Sequence, residues 1–490
     1  MMPTLGHVLV AAVGVLVIGC SRPPEVLTES GLLILEGATI VDPAREAPLK
    51  KSVVILRGER IVRVGRVGDF RYPSDATITN VSGQYLIPGF IDVHVHVPMG
   101  AEIEALRMLL AFGITTIRSP GSSPEQGTHL RQRLAAGEIH GPRMFVAGRP
   151  LTSRLDLEPW GVQVTTEEEV QAEITRQAAS GVDWIKLYRQ LSPELVTVAV
   201  SAAHTHGLKV VGHMGVTSWT EAASAGIDGL THSGHAGPTW ELVEPEHREQ
   251  LRWIPLNVAP PEQLRVMSMA QRYAKFLEAV DLGGKWFTDL VATLVDHDVT
   301  VDPTLVNINA MMYGDDLRVL ATLEPALAPP RVTATWGDGW AARHPLLRQF
   351  PEWDMPAARG LFSIALSMVR LFHDAGVRIA TGTDVGMPWI TPGVSLHREL
   401  EFLVSAGIPT REALLAATRN GAEYLGVLSD VGTIAPGKTA DFVLLRSDPL
   451  QDIRNTRSIE AVYRAGRRHL PGDLLPQSRG KFRASGITSR

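Results

Sequence analysis

The chain has one cysteine, Cys20, among its 490 residues. A single thiol cannot form an intrachain disulfide, so the fold must be stable without a covalent crosslink. Lysine is also scarce, with eight Lys against 39 Arg, so a Lys inside an apolar segment needs its own explanation. No basic cluster with interleaved aromatic residues occurs and the net charge is −5, so we expect no nucleic-acid partner.

The first apolar run of the chain is short. Residues 8–18 are too few to span a bilayer but match the hydrophobic region of a signal peptide. The run ends in VIGC at residues 17–20, followed by Ser21, and residues 1–20 resemble a bacterial lipoprotein signal. The resemblance implies that Cys20 is lipidated, that residues 21–30 are a tether, and that the protein is anchored in the outer membrane, facing the periplasm. A plain secretory signal or an uncleaved anchor is the alternative.

Short β-strands are predicted at both ends of the remaining chain. LLILEGATIVD, SVVILRGERIVRVG and ATITNVSGQYLIPG follow Gly31, and TADFVLLR and SIEAVYRAGR lie near the other end. Between them, strands alternate with helical stretches, which predicts parallel βα units. We therefore predict an α/β fold: a (β/α)₈ TIM-type barrel over residues 89–431, with a small discontinuous β-sandwich from residues 31–88 and 432–475 and a tail at residues 476–490.

One βα unit shows why the boundaries can be predicted. DWIKLY at residues 183–188 is a buried-strand run, and Ser192-Pro193 supplies an N-cap and a first-turn proline for a helix. Gly207 is the expected stop of that helix.

Several predicted strands carry a metal-ligand type of residue at or near their C-terminal ends. Lys186 lies in DWIKLY, His213 ends KVVGH, His232 lies in GLTHS, and Asp384 ends RIATGTD. VTVDPT at residues 299–304 is the exception and is expected to contribute none. Catalytic residues of (β/α)₈ barrels lie at this end of the strands, so we predict that these residues share one site.

His94 and His96 add an HxH pair in PGFIDVHVHV. Residues i and i+2 of a strand share a face, so both imidazoles can bind one ion. His204 and His206 form a second HxH pair, but this pair falls at a predicted helix end, where i and i+2 diverge. Of the two HxH pairs, we expect only His94 and His96 to bind a metal ion.

Lys186 lies between Trp184-Ile185 and Leu187, where an unpaired ammonium would be costly. Neighbouring metal cations favour the neutral amine, which can add CO₂ and become a carbamate whose two oxygens bridge two ions. A lysine at an exposed strand edge is the alternative.

These motifs, with GTIAPGKTADFVLL near the C-terminus, resemble the amidohydrolase superfamily, specifically its imidazolonepropionase-like and prolidase-like branch. The likeness covers about residues 31–470. It implies two divalent metal ions: one bound by His94 and His96 together with Asp384, one by His213 and His232, and a bridging carboxylated Lys186. Nitrogen and oxygen ligands without thiolates suit Zn²⁺, with Mn²⁺, Fe²⁺ or Co²⁺ as alternatives.

The resemblance implies hydrolysis of a C–N amide bond, of dipeptide or N-acyl amino acid type, by metal-activated hydroxide. Asp384 is expected to act first as general base and then as general acid. Alternatives are a cyclic amide or amidine hydrolase or deaminase, a lactonase or phosphotriesterase, and a metal-binding envelope lipoprotein without catalysis. A homo-oligomer is compatible with all of these.

Substrate contacts are expected from the loops that follow the strands. The candidates are Tyr188, Arg189, His235, Arg118 and Arg149, and the acidic pair Asp156 and Glu158 is more simply explained as a solvated loop. The long segment at residues 236–299 is a candidate lid. Many relatives carry Gly-Gly-His after the third strand, where this chain has AGRPLTSRLDLEPWG, so no particular substrate can be carried over.

Overall fold

The computed structural model describes residues 23–156, 159–233, 237, 240–251, 275–334, 336 and 359–475. Cys20, Glu158, His235 and the tail at residues 476–490 lie outside the described residues, so the predictions made for them stay predictions. Among the described helices, none combines the length and the apolar character needed to cross a membrane.

The described strands, in chain order, are β1 (Glu25–Val26), β2 (Leu32–Glu36), β3 (Thr39–Ile40), β4 (Ser52–Arg57), β5 (Arg60–Arg66), β6 (Phe70–Arg71), β7 (Thr77–Asn80), β8 (Tyr85–Pro88), β9 (Phe90–Asp92), β10 (Ile114–Pro120), β11 (Arg143–Ala147), β12 (Leu151–Thr152), β13 (Val162–Gln163), β14 (Trp184–Leu187), β15 (Lys209–Gly212), β16 (Gly229–Thr231), β17 (Thr300–Asp302), β18 (Phe442–Leu445), β19 (Ile459–Arg464) and β20 (Arg467–His469).

The described α-helices are α1 (Glu102–Ala111), α2 (Pro124–Ala135), α3 (Glu167–Ala179), α4 (Pro193–Thr205), α5 (Trp219–Ser224), α6 (Pro245–Leu251), α7 (Lys285–Asp296), α8 (Leu305–Met312), α9 (Leu317–Ala321), α10 (Pro330–Ala334), α11 (Gly360–Asp374), α12 (Val394–Ser405), α13 (Thr410–Ala416), α14 (Arg419–Tyr424) and α15 (Pro471–Leu474). Among the described residues, two 3₁₀ helices cover Pro325–Leu327 and Ile453–Arg457.

A parallel sheet forms the centre of the molecule. Its strands follow the order β9, β10, β11, β14, β15, β16, β17, and helices connect most of them along the chain. Residues 378–385 close the sheet, because Ile379 bridges to Val301 of β17 and Val385 bridges to Val95 after β9. Consecutive parallel strands that return to the first make a TIM-like barrel, as predicted.

In the described residues, the two ends of the chain build two further sheets of four and five strands, and β1 pairs with β6 in a two-stranded sheet. β2, β4, β5 and β7 form one, and β3, β8, β18, β19 and β20 form the other. β8 and β18 pair antiparallel, with Pro88 opposite Phe442, so the N-terminal and C-terminal segments meet in one sheet. An apolar cluster with members from both sheets, including Leu35, Val54 and Leu86, is buried with Phe442.

The sequence of β14 shows how the barrel presents side chains inward. Ile185 and Leu187 belong to the apolar core that also contains the buried faces of the surrounding helices, whereas Trp184 belongs to a second cluster with Val93 and Ala380. Alternate residues of a strand face opposite sides, so Lys186 shares the inward face of Trp184. The chain then enters α4 as predicted: the Ser192 side chain accepts a hydrogen bond from Leu195 N at 3.4 Å.

Candidate metal centre

Three predicted ligands meet at the C-terminal mouth of the barrel. The ligand atoms of His94, His96 and Asp384 all lie within 4.8 Å of one another. Asp384 Oδ1 is 3.5 Å from His94 Nε2 and 3.2 Å from His96 Nε2. His94 follows β9, and Asp384 lies near the end of the closing segment at residues 378–385, so two neighbouring strand ends bring the residues together across almost 300 positions of sequence.

The other two histidines extend this cluster. The His232 ring centroid is 4.8 Å from that of His94, and the His213 centroid is 4.5 Å from that of His232. His232 Nδ1 is also 3.9 Å from Asp384 Oδ2. Four imidazoles therefore form a continuous row, with His96 half-exposed at one end and the other three buried.

Lys186 lies on the same inner face, buried, with Nζ 3.5 Å from the Thr231 hydroxyl. Burial lowers the pKa of Lys186 to about 7, although the negative charge of Asp302 opposes this shift. A substantial share of the amine is therefore neutral near pH 7, which is the form that reacts with CO₂. Lys186 thus lies on a buried strand, as predicted.

Asp384 is ionised at neutral pH, which both a metal ligand and a proton acceptor require. Burial acts to raise its pKa, but the interaction with the neighbouring His94 imidazole and the hydrogen bond from His96 outweigh burial and hold the pKa at about 2. Asp384 is thus a carboxylate throughout the neutral range. Burial also lowers the pKa of His94 well below its usual range, so its imidazole is neutral.

Asp302 fixes the orientation of His94, and here one prediction was wrong. VTVDPT was expected to contribute nothing, yet Asp302 ends β17 inside the barrel, and His94 Nδ1 donates to Asp302 Oδ1 at 3.0 Å. With Nδ1 carrying the proton, Nε2 presents its lone pair toward Asp384. The strand-end rule used for the other ligands would have found Asp302, because a buried Thr300-Val301 precedes it.

His94 Nε2 also provides a test of whether a metal fits. This atom is buried and has no hydrogen-bond partner among the described residues. A buried imidazole nitrogen normally has a hydrogen-bond partner. Here the Nε2 lone pair points at the Asp384 carboxylate, which lies beside His96. Two imidazoles and a carboxylate together are a donor set that suits a divalent ion. The residues present therefore fit a metal.

Two of the predicted ligands have a strained backbone conformation that directs their side chains into the site. His232 has φ 68° and Asp384 has φ 64°, both in the left-handed region that costs a residue with a Cβ about 1–3 kcal/mol. Hydrogen bonds hold the strand ends in place: Asp92 accepts from His94 N at 3.1 Å and from the Thr383 hydroxyl at 2.6 Å. Such strain is typical of residues positioned for function.

Arg118, a candidate substrate contact, lies within the barrel and away from the mouth. Its guanidinium donates to Asp302 Oδ2 at 3.1 Å and to the Tyr424 hydroxyl at 2.8 Å. It also lies over the rings of Trp184 and Tyr424, 4.8 and 5.0 Å from their centroids. The side chain is wholly buried, so its position indicates a structural role beneath the candidate metal centre.

The remaining described candidates make separate contacts. The Tyr188 ring lies 4.7 Å from that of His213, and the Arg189 guanidinium lies 5.3 Å from the Tyr188 ring centroid. Arg149 is exposed and donates to the Trp160 carbonyl oxygen at 3.2 Å, and Asp156 is paired with Arg154. His204 and His206 contact different partners, Asp228 and Thr175.

Two further residues at the site were not anticipated. Thr304 Oγ1 is 2.8 Å from His232 Nδ1, and Asn307 Nδ2 donates to Asp384 Oδ2 at 2.7 Å. Both lie at the start of α8, which follows β17 directly. Their partners are more than 70 positions away in sequence, so no local pattern signals these contacts.

A family model described as the amidohydrolase family matches residues 85–468. The chain belongs to the amidohydrolase family. The imidazolonepropionase of Streptomyces griseus is 23% identical over 441 residues, which cover 86% of this chain and 93% of that protein. The adenine deaminase of Deinococcus deserti is 24% identical over 462 residues, 92% of this chain but 62% of its own length, so the chain spans less than two thirds of this relative.

Solved structures of other amidohydrolase-like proteins share the fold. A Xaa-Pro dipeptidase with bound methionine has a TM-score of 0.65 at 18% identity, covering 90% of this chain and 100% of the dipeptidase. Molinate hydrolase has a TM-score of 0.63 at 18% identity, covering 94% and 100%. Family membership and the imidazolonepropionase relative confirm the predicted amidohydrolase family and the predicted class, a hydrolase that acts on C–N bonds of small molecules.

Proposed function

We propose that this amidohydrolase is a binuclear metal enzyme that hydrolyses the amide bond of a dipeptide or an N-acyl amino acid. The observation that carries the proposal is the convergence of four histidines, a buried lysine and a carboxylate at the mouth of the barrel. His94 and His96 together with Asp384 would hold one ion. His213 and His232 would hold the other.

Lys186, as a carbamate, would bridge the two ions. Its buried position and lowered pKa support this role, because the neutral amine adds CO₂ and releases one proton. Zn²⁺ is the proposed metal, since the donors are imidazole nitrogens and carboxylate oxygens without a thiolate. Metal analysis of protein purified without chelators should give two Zn²⁺ per chain, and Lys186→Ala should retain fewer.

The proposed chemistry assigns the proton transfers to Asp384. Divalent ions bound at the mouth would lower the pKa of water and polarise the scissile carbonyl. Asp384, ionised at neutral pH, takes the proton of the attacking water and delivers it to the leaving nitrogen. The surrounding buried side chains keep Asp384 in one orientation, so the same carboxylate serves both transfers.

Asp384→Asn tests this assignment. The variant removes the base, so kcat should fall by about 10²–10⁴-fold with little change in KM, measured on protein shown to contain metal. The substrates would be libraries of dipeptides and N-acyl amino acids, with release of the free amine as the assay. Near-normal turnover by a metal-loaded Asp384→Asn variant would contradict the assignment.

Deamination of a cyclic amidine is a second candidate, favoured by the adenine deaminase relative. The two reactions differ in their products and in their need for the lysine. A deaminase that uses one metal would release ammonia, and Lys186→Ala would leave its rate unchanged. An amide hydrolase that uses a bridging carbamate would release an amine and lose activity with Lys186→Ala.

We further propose that Tyr188 and Arg189 contact the substrate, with Arg189 binding a carboxylate. The Tyr188 ring lies between the ring of His213 and that of the half-exposed Trp160. The centroids of the Tyr188 and Trp160 rings are 6.0 Å apart. Tyr188 and Trp160 therefore form one wall between solvent and the histidines. Arg189→Gln should raise KM for substrates with a free carboxylate and leave KM for the matching amides unchanged. His235 and the lid at residues 236–299 belong to the same proposal.

The proposal also includes an anchor and a second domain. Cys20 would carry a lipid that holds the enzyme at the outer membrane, facing the periplasm, and the two terminal sheets would form a discontinuous β-sandwich beside the barrel. Labelling cells with radioactive palmitate should mark the wild type and leave Cys20→Ala unmarked and in the soluble fraction. Light scattering of the detergent-solubilised enzyme would give its oligomeric state.

A further inference from the structure

The start of α8 reaches the proposed metal centre. α8 follows β17 after Pro303 and Thr304, and Thr304 adopts the left-handed region with φ 48°. This sharp turn directs the first turn of α8 over the mouth of the barrel. Asn307 lies in that first turn, buried, with 2% of its surface exposed.

Asn307 contacts one oxygen of Asp384, and His94 and His96 face the other. Asn307 Nδ2 donates to Oδ2 at 2.7 Å, whereas His96 Nε2 and His94 Nε2 are 3.2 and 3.5 Å from Oδ1. The two oxygens of one carboxylate are thus distinguished by their surroundings. A donor on Oδ2 fixes the rotation of the carboxylate about its terminal bond, which is otherwise broad.

The helix start that carries Asn307 is itself held in place. Glu399 of α12 is buried, and its carboxylate accepts hydrogen bonds from Leu305 N at 3.0 Å and Val306 N at 2.7 Å. These are backbone donors of the first turn of a helix, which have no partner within the helix. Asn307 therefore projects from a helix start anchored on both sides, by β17 and by α12.

From this geometry we infer that Asn307 is a positioning residue for Asp384. It holds Oδ2, so that Oδ1 stays directed at the ion that His94 and His96 would bind. The inference rests on the proposed function, because it assumes that Asp384 is a metal ligand. Outer partners that orient metal ligands typically change metal affinity 10–100-fold when they are removed.

Asn307→Leu tests this role, because it keeps the approximate size of the side chain and removes the donor. Asn309→Leu is the matched control: Asn309 lies on the same helix, is buried, and its amide oxygen has no hydrogen-bond partner among the described residues. Zn²⁺ affinity is measured by chelator competition without substrate. Asn307→Leu should weaken Zn²⁺ binding about 10–100-fold relative to wild type and Asn309→Leu.

Asn307→Asp gives an independent variant of similar shape. It places a second carboxylate against Asp384 and should alter Zn²⁺ binding and lower kcat more than it changes KM, whereas unfolding in urea reports any loss of fold. Wild-type Zn²⁺ affinity in both Asn307 variants would overturn the positioning role alone. A wild-type protein that binds no Zn²⁺ would overturn the proposed function and this role with it.

Discussion

Replacing Arg118 by Met removes a buried cation from beneath the candidate metal centre. Arg118 and Asp302 are both fully buried, and the guanidinium also donates to Tyr424 and lies over two rings. Met fills part of the space but leaves the Asp302 carboxylate without its cation. Breaking a buried pair in this way costs about 3–5 kcal/mol, so we expect the free energy of unfolding to fall by that amount.

The assay is urea unfolding of Arg118→Met followed by intrinsic tryptophan fluorescence. The control is Arg60→Met, which breaks an ion pair with Asp430 at 2.7 Å whose side chains are 53% and 38% exposed. Water screens such a pair, so the control should lose less than about 1 kcal/mol. Equal, small losses in the two variants would refute the reasoning that Arg118 neutralises a buried carboxylate.

Three other perturbations follow from the same structure. Burial lowers the pKa of His397 to about 3, so the folded protein should lose roughly 1.4 kcal/mol per pH unit as pH falls below about 6.5, where the unfolded histidine takes up a proton. Urea unfolding should show a flatter pH dependence for His397→Gln, and identical slopes would contradict this account. A Cβ on Gly382 would lie 2.8 Å from His94 Cβ, so Gly382→Ala should weaken Zn²⁺ binding by more than about tenfold. Gly472→Ala, which points into open space, should not. Asp302→Asn should weaken Zn²⁺ binding and lower the free energy of unfolding, whereas Asp430→Asn should change neither measurably. Equal behaviour of the two variants would exclude the proposal that Asp302 orients His94.

Secondary-structure elements and candidate ligands could be predicted from the sequence where a local rule applied. Ser192 and Pro193 mark a helix start because capping chemistry is local, and the structure begins α4 there. Lys186, His213 and His232 could be proposed because strands of a parallel barrel place their C-terminal ends on one rim. Each prediction required only a short window of sequence and one geometric rule.

Orientation within the barrel could not be predicted in the same way. Every residue of β10 is buried, so no alternation of apolar and polar residues shows which side chains face inward. Arg118 was therefore a candidate for the mouth, although its position in β10 directs it toward Tyr424. Asn307 was missed for another reason: its partner Asp384 comes 77 positions later, and only the closed barrel makes them neighbours.

The pairing of β8 with β18 has a consequence for the order in which the molecule assembles. During synthesis, β8 emerges before any barrel strand, and its partner β18 emerges after all of them. At typical ribosome speeds, β8 waits on the order of tens of seconds with an unpaired edge. An interrupted chain would keep that edge exposed, which would make incomplete products targets for proteases and for aggregation.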